Sequence, residues 1–202
     1  LGAGAMKAGT TWLYTVLDRH PEIYFSNDKE IHYFAQINGV QSPLALSKRI
    51  DRFKNFAKNL KDTESRPGAV RRQLRWYGHW MNEPVDDNWY ASLFYGRRKQ
   101  KYAADFCNLT ALIDDEGWAH VRRVAGEVKV IYVMRNPLKR LWSHVKWHAA
   151  FVGRFDELPG WKASDYERFA RRPHMWRNAE YGTIVKSLKR NLRDDELKLA
   201  FF

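Results

Sequence analysis

The sequence predicts an α/β fold of three layers, with helices on both faces of a central parallel sheet. Three observations predict it. Residues Gly2 to Tyr14 read as the end of a strand, a loop of small residues and an amphipathic helix. Val128 to Met134 (Val-Lys-Val-Ile-Tyr-Val-Met) is an almost continuous apolar run rich in β-branched residues, which suits a strand buried on both faces. Strand-like and helix-like segments alternate along the chain, the order expected when parallel strands are joined by crossover helices.

The first element, Gly2-Ala3-Gly4-Ala5-Met6-Lys7-Ala8-Gly9-Thr10-Thr11-Trp12-Leu13-Tyr14, has the composition of an anion cradle. Small residues let backbone N–H groups turn inward, and a helix N-terminus adds partial positive charge. Lys7 adds a full charge, and Thr10 and Thr11 add hydroxyl donors. The ligand expected is a phosphate or a group shaped like one. The loop is not a nucleoside-triphosphate loop, in which lysine directly follows the last glycine, because Lys7 comes two residues before Gly9. Nor is it a dinucleotide fingerprint, because Lys7 stands where the third glycine belongs. The helix stops near His20-Pro21.

Lys29-Glu30-Ile31-His32-Tyr33-Phe34 follows. In an extended segment Glu30 and His32 face the same side. A carboxylate beside an imidazole can hold and remove a hydroxyl proton. An edge strand with solvated charges is the other reading. Ser42-Pro43 starts a helix to about Asn59, with Leu44, Leu46, Ile50, Phe53 and Phe56 on its apolar side. Lys61 to Gly68 is polar and reads as a loop. Arg71 to Tyr95 is crowded with Trp76, Tyr77, Trp80, Trp89, Tyr90, Phe94 and Tyr95, without a clear period before Asp86 and with a helix from Asp87. Such aromatics stack on an acceptor or pack an insert, spanning about 60–100, against the core; both readings stand. Lys101 to Phe106 reads as a strand and Glu116 to Val124 as a helix.

Arg135-Asn136-Pro137 ends the main strand, with Asn136 a helix cap and Pro137 the first helical residue. Leu138, Leu141, Trp142 and Val145 then recur at helical spacing. Arg135 thus sits at the C-terminal end of a strand, where open α/β sheets bind ligands, and Ser143 lies two turns into the next helix. His144 and His148 share a helix face, but the sequence supplies no third ligand, so a solvated face is expected and no metal. A helix from about Ala179 to Leu192 leads to a last strand, Leu197 to Phe202.

The 202 residues suffice for one domain with a sizeable core. Lys and Arg total 35 against 23 Asp and Glu, a formal net charge of +12 that attracts polyanions. The single cysteine, Cys107, excludes an internal disulfide framework and predicts no metal site. No run approaches the roughly 20 apolar residues of a membrane helix. Both ends read as cut through a strand. The cytoplasm is the simplest compartment, or the Golgi lumen if an anchor lies upstream.

Three of these segments together resemble sulfotransferases that use 3′-phosphoadenosine 5′-phosphosulfate (PAPS). The order Lys-x-Gly-Thr-Thr-Trp at Lys7–Trp12 is similar to their 5′-phosphosulfate loop. Arg135 with Ser143 is similar to their 3′-phosphate motif. Lys29–Phe34 resembles the Lys-Glu-x-His-Phe-Phe element of Golgi-type and related bacterial enzymes, such as the heparan sulfate sulfotransferases. The resemblance implies a P-loop-like sulfotransferase fold, PAPS as co-substrate with PAP as product, and no metal. It implies Glu30 as general base, His32 as its partner, and Lys29 as a contact to the sulfuryl oxygens. Lys7, Ala8, Gly9, Thr10, Thr11 and Trp12 would hold the 5′-phosphate end, with Trp12 stacked on adenine. Arg135 and Ser143 would hold the 3′-phosphate, and Tyr181 resembles a tyrosine that contacts the adenine. The acceptor implied is a small molecule or glycan, with no nucleic acid partner. The chain departs from the glycan enzymes at Asp105-Phe106-Cys107-Asn108, where they carry a lysine. The basic loop that closes over the 3′-phosphate would lie beyond Phe202.

On this reading an acceptor hydroxyl or amine attacks sulfur in line, and Lys7 neutralises charge on the departing phosphate. Two other classes stay open: a P-loop nucleotide kinase or NTPase, and a non-catalytic module binding polyanions. The displaced lysine opposes the first, as does the want of an Asp-ended strand in an obvious magnesium position. The Arg135–Ser143 spacing opposes the second.

Overall fold

The computed structural model describes residues 1–40, 43–60 and 67–202. Strand β1 (Gly2–Gly4) runs through the loop into helix α1 (Thr10–Leu17), as the small-residue pattern predicts. Strand β2 (Ile23–Phe25) and helix α2 (Tyr33–Ile37) follow, then α3 (Leu46–Lys58), α4 (Pro67–Trp80) and α5 (Asp87–Ser92). Strand β3 (Tyr102–Ala104), helix α6 (Asp115–Ala125) and strand β4 (Val130–Met134) form the middle. Helices α7 (Pro137–Phe151), α8 (Ala163–Ala170), α9 (Pro173–Arg177) and α10 (Tyr181–Asn191) precede strand β5 (Leu197–Phe201).

Every strand pairing is parallel. β1 pairs with β4, β4 with β5, and β2 with β3. A parallel bridge between Gly2 and Phe106 joins the two sets, with Gly2 N–H donating to Asp105 O (2.8 Å) and Cys107 N–H to Gly2 O (2.9 Å). The order is therefore β2-β3-β1-β4-β5, with β1 at the centre. The loops after β1, β3 and β4 leave the same end of the sheet side by side, so the small-residue loop read as an anion cradle, the Asp105–Asn108 segment and Arg135 are neighbours by topology. Among the described residues no helix is long and apolar enough to cross a membrane.

The structure corrects several element readings. Lys29–Phe34 is not extended: Glu30 and His32 both take left-handed backbone (φ 64° and 65°), and α2 begins at Tyr33. Ser42 lies outside the described residues, and α3 begins later, at Leu46. Its most buried residue is Arg49, whose guanidinium donates to Trp80 O (2.7 Å) and Asn82 O (3.1 Å) and pairs with Glu83, while Leu46 is exposed. Of the polar stretch, 61–66 lie outside the described residues, and Pro67 and Gly68 open α4. Trp76, Tyr77 and Trp80, where no period was read, form the buried stripe of that helix. Trp89 and Tyr90 on α5 are buried with them, whereas Tyr95 is exposed.

On α7, Asn136 caps as expected, accepting from Lys139 N–H at 3.1 Å. The buried face shares Val145 with the expected one but is otherwise rotated from it. Leu138 and Trp142 are exposed, and Arg140, His144, Val145 and Ala149 point inward. His144 is therefore not on a solvated face. The guanidinium of Arg140 lies 3.4 Å from His144 Nδ1, and burial beside that cation pushes the imidazole down to about 3. His148 packs on His174 from α9, their ring centroids 4.5 Å apart.

Candidate functional site

The loop after β1 turns through Lys7 in left-handed conformation (φ 65°) and through Gly9 at the head of α1 (φ 88°). A helix start leaves its first amides without intrahelical acceptors, so the N–H groups from Thr10 onward face the loop. A Cβ on Gly9 would meet the Phe202 ring at 2.5 Å, so glycine is required there by backbone and by space alike. Lys7 Nζ stands 5.7 Å from the Trp147 ring centroid. Burial, with Lys29 nearby, lowers its pKa.

Lys29 ties the cradle to the proposed base. Its Nζ lies 3.1 Å from Thr11 Oγ1, 3.5 Å from Thr10 Oγ1 and 3.3 Å from Glu30 Oε1. Glu30 Oε2 accepts from Asn108 N–H at 3.0 Å and stands 3.9 Å from His32 Nε2. The two side chains share a side because both backbones are left-handed, not because the segment is extended. Burial raises the Glu30 pKa, with Lys29 and the Asn108 N–H opposing it. Burial, with Arg52 and Lys29 close by, pushes His32 down to about 4, so the imidazole is neutral at pH 7.

Cys107 belongs to this cluster, which sequence reasoning missed. Ligand atoms of Glu30, His32 and Cys107 lie within 4.8 Å of one another, the one such three-residue group among the described residues. Zinc favours these donor types, but Lys29 and Arg52 already bring positive charge against the carboxylate and imidazole. A cation would have to displace or outweigh them.

A second group of residues meets at the end of β4. Arg135 Cζ lies 5.7 Å from the Phe202 ring centroid, and Trp12 lies 6.2 Å from the same ring. Ser143 is half-buried on α7. Tyr181 takes a different position from a free ring: its hydroxyl accepts the Arg135 N–H at 3.1 Å, and its ring stands edge-on to Tyr132. Ala8 is fully buried under the loop. Two further residues escaped the sequence reading. Phe202 touches both halves of the cradle, and nothing in a terminal phenylalanine signals that. Arg140 is fully buried behind the loop, donating to Met6 O at 3.3 Å, with Nε and one terminal nitrogen unpartnered. An inward arginine on a helix that also carries apolar residues was concealed by the apolar spacing.

An aspartate does end the strand beside β1, where none was read. Asp105 is sealed from solvent, accepts from Tyr90 O–H at 3.2 Å, and is pushed up by burial to about 7. A carboxyl held in that way is a poor magnesium ligand.

Parallel strands in this order, with helices packed around them and a small-residue loop after the central one, define a mixed α/β fold. The solved structures include one of this kind: a sulfotransferase from Alicyclobacillus acidocaldarius, similar to this chain with a TM-score of 0.61 at 20% identity, over 99% of this chain and 71% of that one. The chain has the sulfotransferase fold. No protein-family model matches it, and no curated protein matches its sequence.

Proposed function

We propose that the chain is a PAPS-dependent sulfotransferase. One observation carries the reading: the Lys29 ammonium sits between the Thr11 hydroxyl of the cradle and the Glu30 carboxylate, 3.1 Å from one and 3.3 Å from the other. A 5′-phosphosulfate in the cradle would then present its sulfur within reach of a base. The acceptor oxygen attacks sulfur as Glu30 takes the acceptor proton. The bond from sulfur to the bridging oxygen breaks, and its electron pair goes to the 5′-phosphate of the departing PAP. Lys7 and the amides of Ala8 to Trp12, with the hydroxyls of Thr10 and Thr11, stabilise that charge. Lys29 neutralises the sulfuryl oxygens. Arg135 and Ser143 bind the 3′-phosphate, the guanidinium by its paired donors. Trp12 and Phe202 offer faces to the adenine, and Tyr181 holds the Arg135 backbone in place. No residue role here calls for a metal.

Calorimetric titration with PAP, with ATP and ADP as controls, tests the reading. Selective PAP binding supports it, and transfer of labelled sulfate that disappears in Lys7→Ala completes it. Turnover of ATP with magnesium, with PAP ignored, would instead establish a nucleotide kinase or NTPase. Asp105, buried and with its pKa pushed up to about 7, disfavours that outcome.

A further inference from the structure

We propose that Arg140 is a positioning residue for the loop after β1: it fixes the peptide between Met6 and Lys7 so that the Lys7 N–H faces the bound anion, without touching the anion itself. That the anion is the 5′-phosphate end of PAPS rests on the sulfotransferase reading. Arg140 lies one turn into α7, is fully buried, and donates to Met6 O at 3.3 Å. In a trans peptide the carbonyl and the following N–H point in opposite directions. A Met6 carbonyl held toward Arg140 therefore turns the Lys7 N–H away from it. Among the described residues neither that N–H nor the Gly9 N–H has an acceptor within the protein. Free amides next to the start of α1 make a concave set of donors, the geometry that takes an anion.

This orientation needs a holder. Lys7 is left-handed (φ 65°), which is unfavourable for a residue with a side chain and persists only where the surroundings impose it. Turning the peptide over would return φ to the ordinary negative region, and would aim the Met6 carbonyl at the anion instead. The charge of Arg140 gives a second, independent observation. Among the described residues it has no carboxylate partner. Its Nε and one terminal nitrogen are unpartnered, as is the hydroxyl of nearby Tyr132, and the remaining neighbour is His144 Nδ1 at 3.4 Å. Arg49, equally buried, is by contrast paired with Glu83 and two backbone carbonyls. A desolvated cation without a counter-ion is costly. An anion accepting from the Lys7 N–H would lie one peptide away from the guanidinium and supply the missing charge.

Amide NMR of the wild-type protein tests the orientation. PAP should move the Lys7 amide proton downfield as it gains a charged acceptor, and inorganic pyrophosphate should do the same. Calorimetry with Arg140→Met, neutral and of similar length, tests the holder. The variant should bind adenosine 5′-phosphate about 10–100-fold more weakly, the size of one hydrogen bond to a charged group, and adenosine 3′-phosphate as before. It should also lose the Lys7 shift. Arg140→Lys, a cationic donor of shorter reach, should fall between Met and wild type; should the Met variant not fold, the Lys variant is read against wild type in the same way. Equal weakening of both nucleotides, or of neither, would mean that Arg140 only packs behind the loop, and overturns the inference. A Lys7 shift with pyrophosphate but no PAP binding would leave the inference standing and remove the sulfotransferase reading. PAP binding without the shift would do the reverse, and binding of neither would overturn both.

Discussion

Cys107 Sγ lies 3.2 Å from His32 Nδ1, so the direction of this contact goes with the choice of which nitrogen of the imidazole carries the proton. Burial, with Glu30 and Asp105 nearby, pushes the thiol well above its ordinary pKa, so it keeps its hydrogen and is able to donate it. With the thiol as donor, the neutral His32 ring accepts at Nδ1 and its Nε2–H is the one 3.9 Å from Glu30 Oε2. A histidine held that way supports a carboxylate base and is poorly placed to act as one.

Cys107→Ala should therefore lower kcat several-fold while leaving PAP affinity unchanged, and Cys107→Ser, which keeps a donor, should restore most of it. The ring-nitrogen chemical shifts of His32 report the tautomer directly. An Ala variant with wild-type kcat and an unchanged tautomer would show that Cys107 only fills space.

Glu30→Gln should reduce kcat by about 10²–10⁴-fold with the fold and PAP binding intact. In the wild type the base must be ionised, so activity rises with pH through a Glu30 pKa raised above 4.5. The Gln variant should lack that acid limb. Pre-steady-state sulfate transfer across pH 4–8 measures both effects.

Arg135→Ala should weaken PAP by about 10–100-fold, the size of a lost charge-assisted pair. Arg135→Lys should recover little, because an ammonium cannot reproduce the planar fork. Titration with adenosine 5′-phosphate, which lacks the 3′-phosphate, should show almost no difference between wild type and variant.

His144 makes stability sensitive to acid. Its folded pKa, about 3, lies below the unfolded value of 6.5. Between these pH values the unfolded chain binds a proton that the folded chain refuses, so stability is full above pH 6.5 and falls as pH drops toward 3. His144→Gln should remove up to about 1.4 kcal/mol per pH unit of that slope. Urea unfolding at pH 4.5 and 7 measures it; equal slopes in the two proteins would mean that His144 is not the group responsible.

Much of this architecture is legible in the residues. The small-residue loop before Thr10, the β-branched run into Met134 and the Asn136-Pro137 cap are local signals, and local geometry decides them. The errors arise where tertiary contacts overrule local pattern. Leu138 and Trp142 have the spacing of a buried stripe, yet the loop behind β1 draws Arg140 inward to bind Met6 O. Glu30 and His32 suit an extended strand by alternation, but the Asn108 amide and the Lys29 ammonium gather the carboxylate into a left-handed turn. Cys107 joins them from 75 residues away, a separation no motif spans.

β1 finds its hydrogen-bonding partners only at Asp105–Cys107 and at β4. During synthesis β1 has nothing to pair with until about 100 more residues have been made, and its pairing with β4 waits for about 130. Loop-closure entropy delays such distant pairings. The loop between β1 and α1 is therefore among the last parts to become ordered, and a nascent chain stalled before β4 would hold every residue of that loop without the sheet that shapes it.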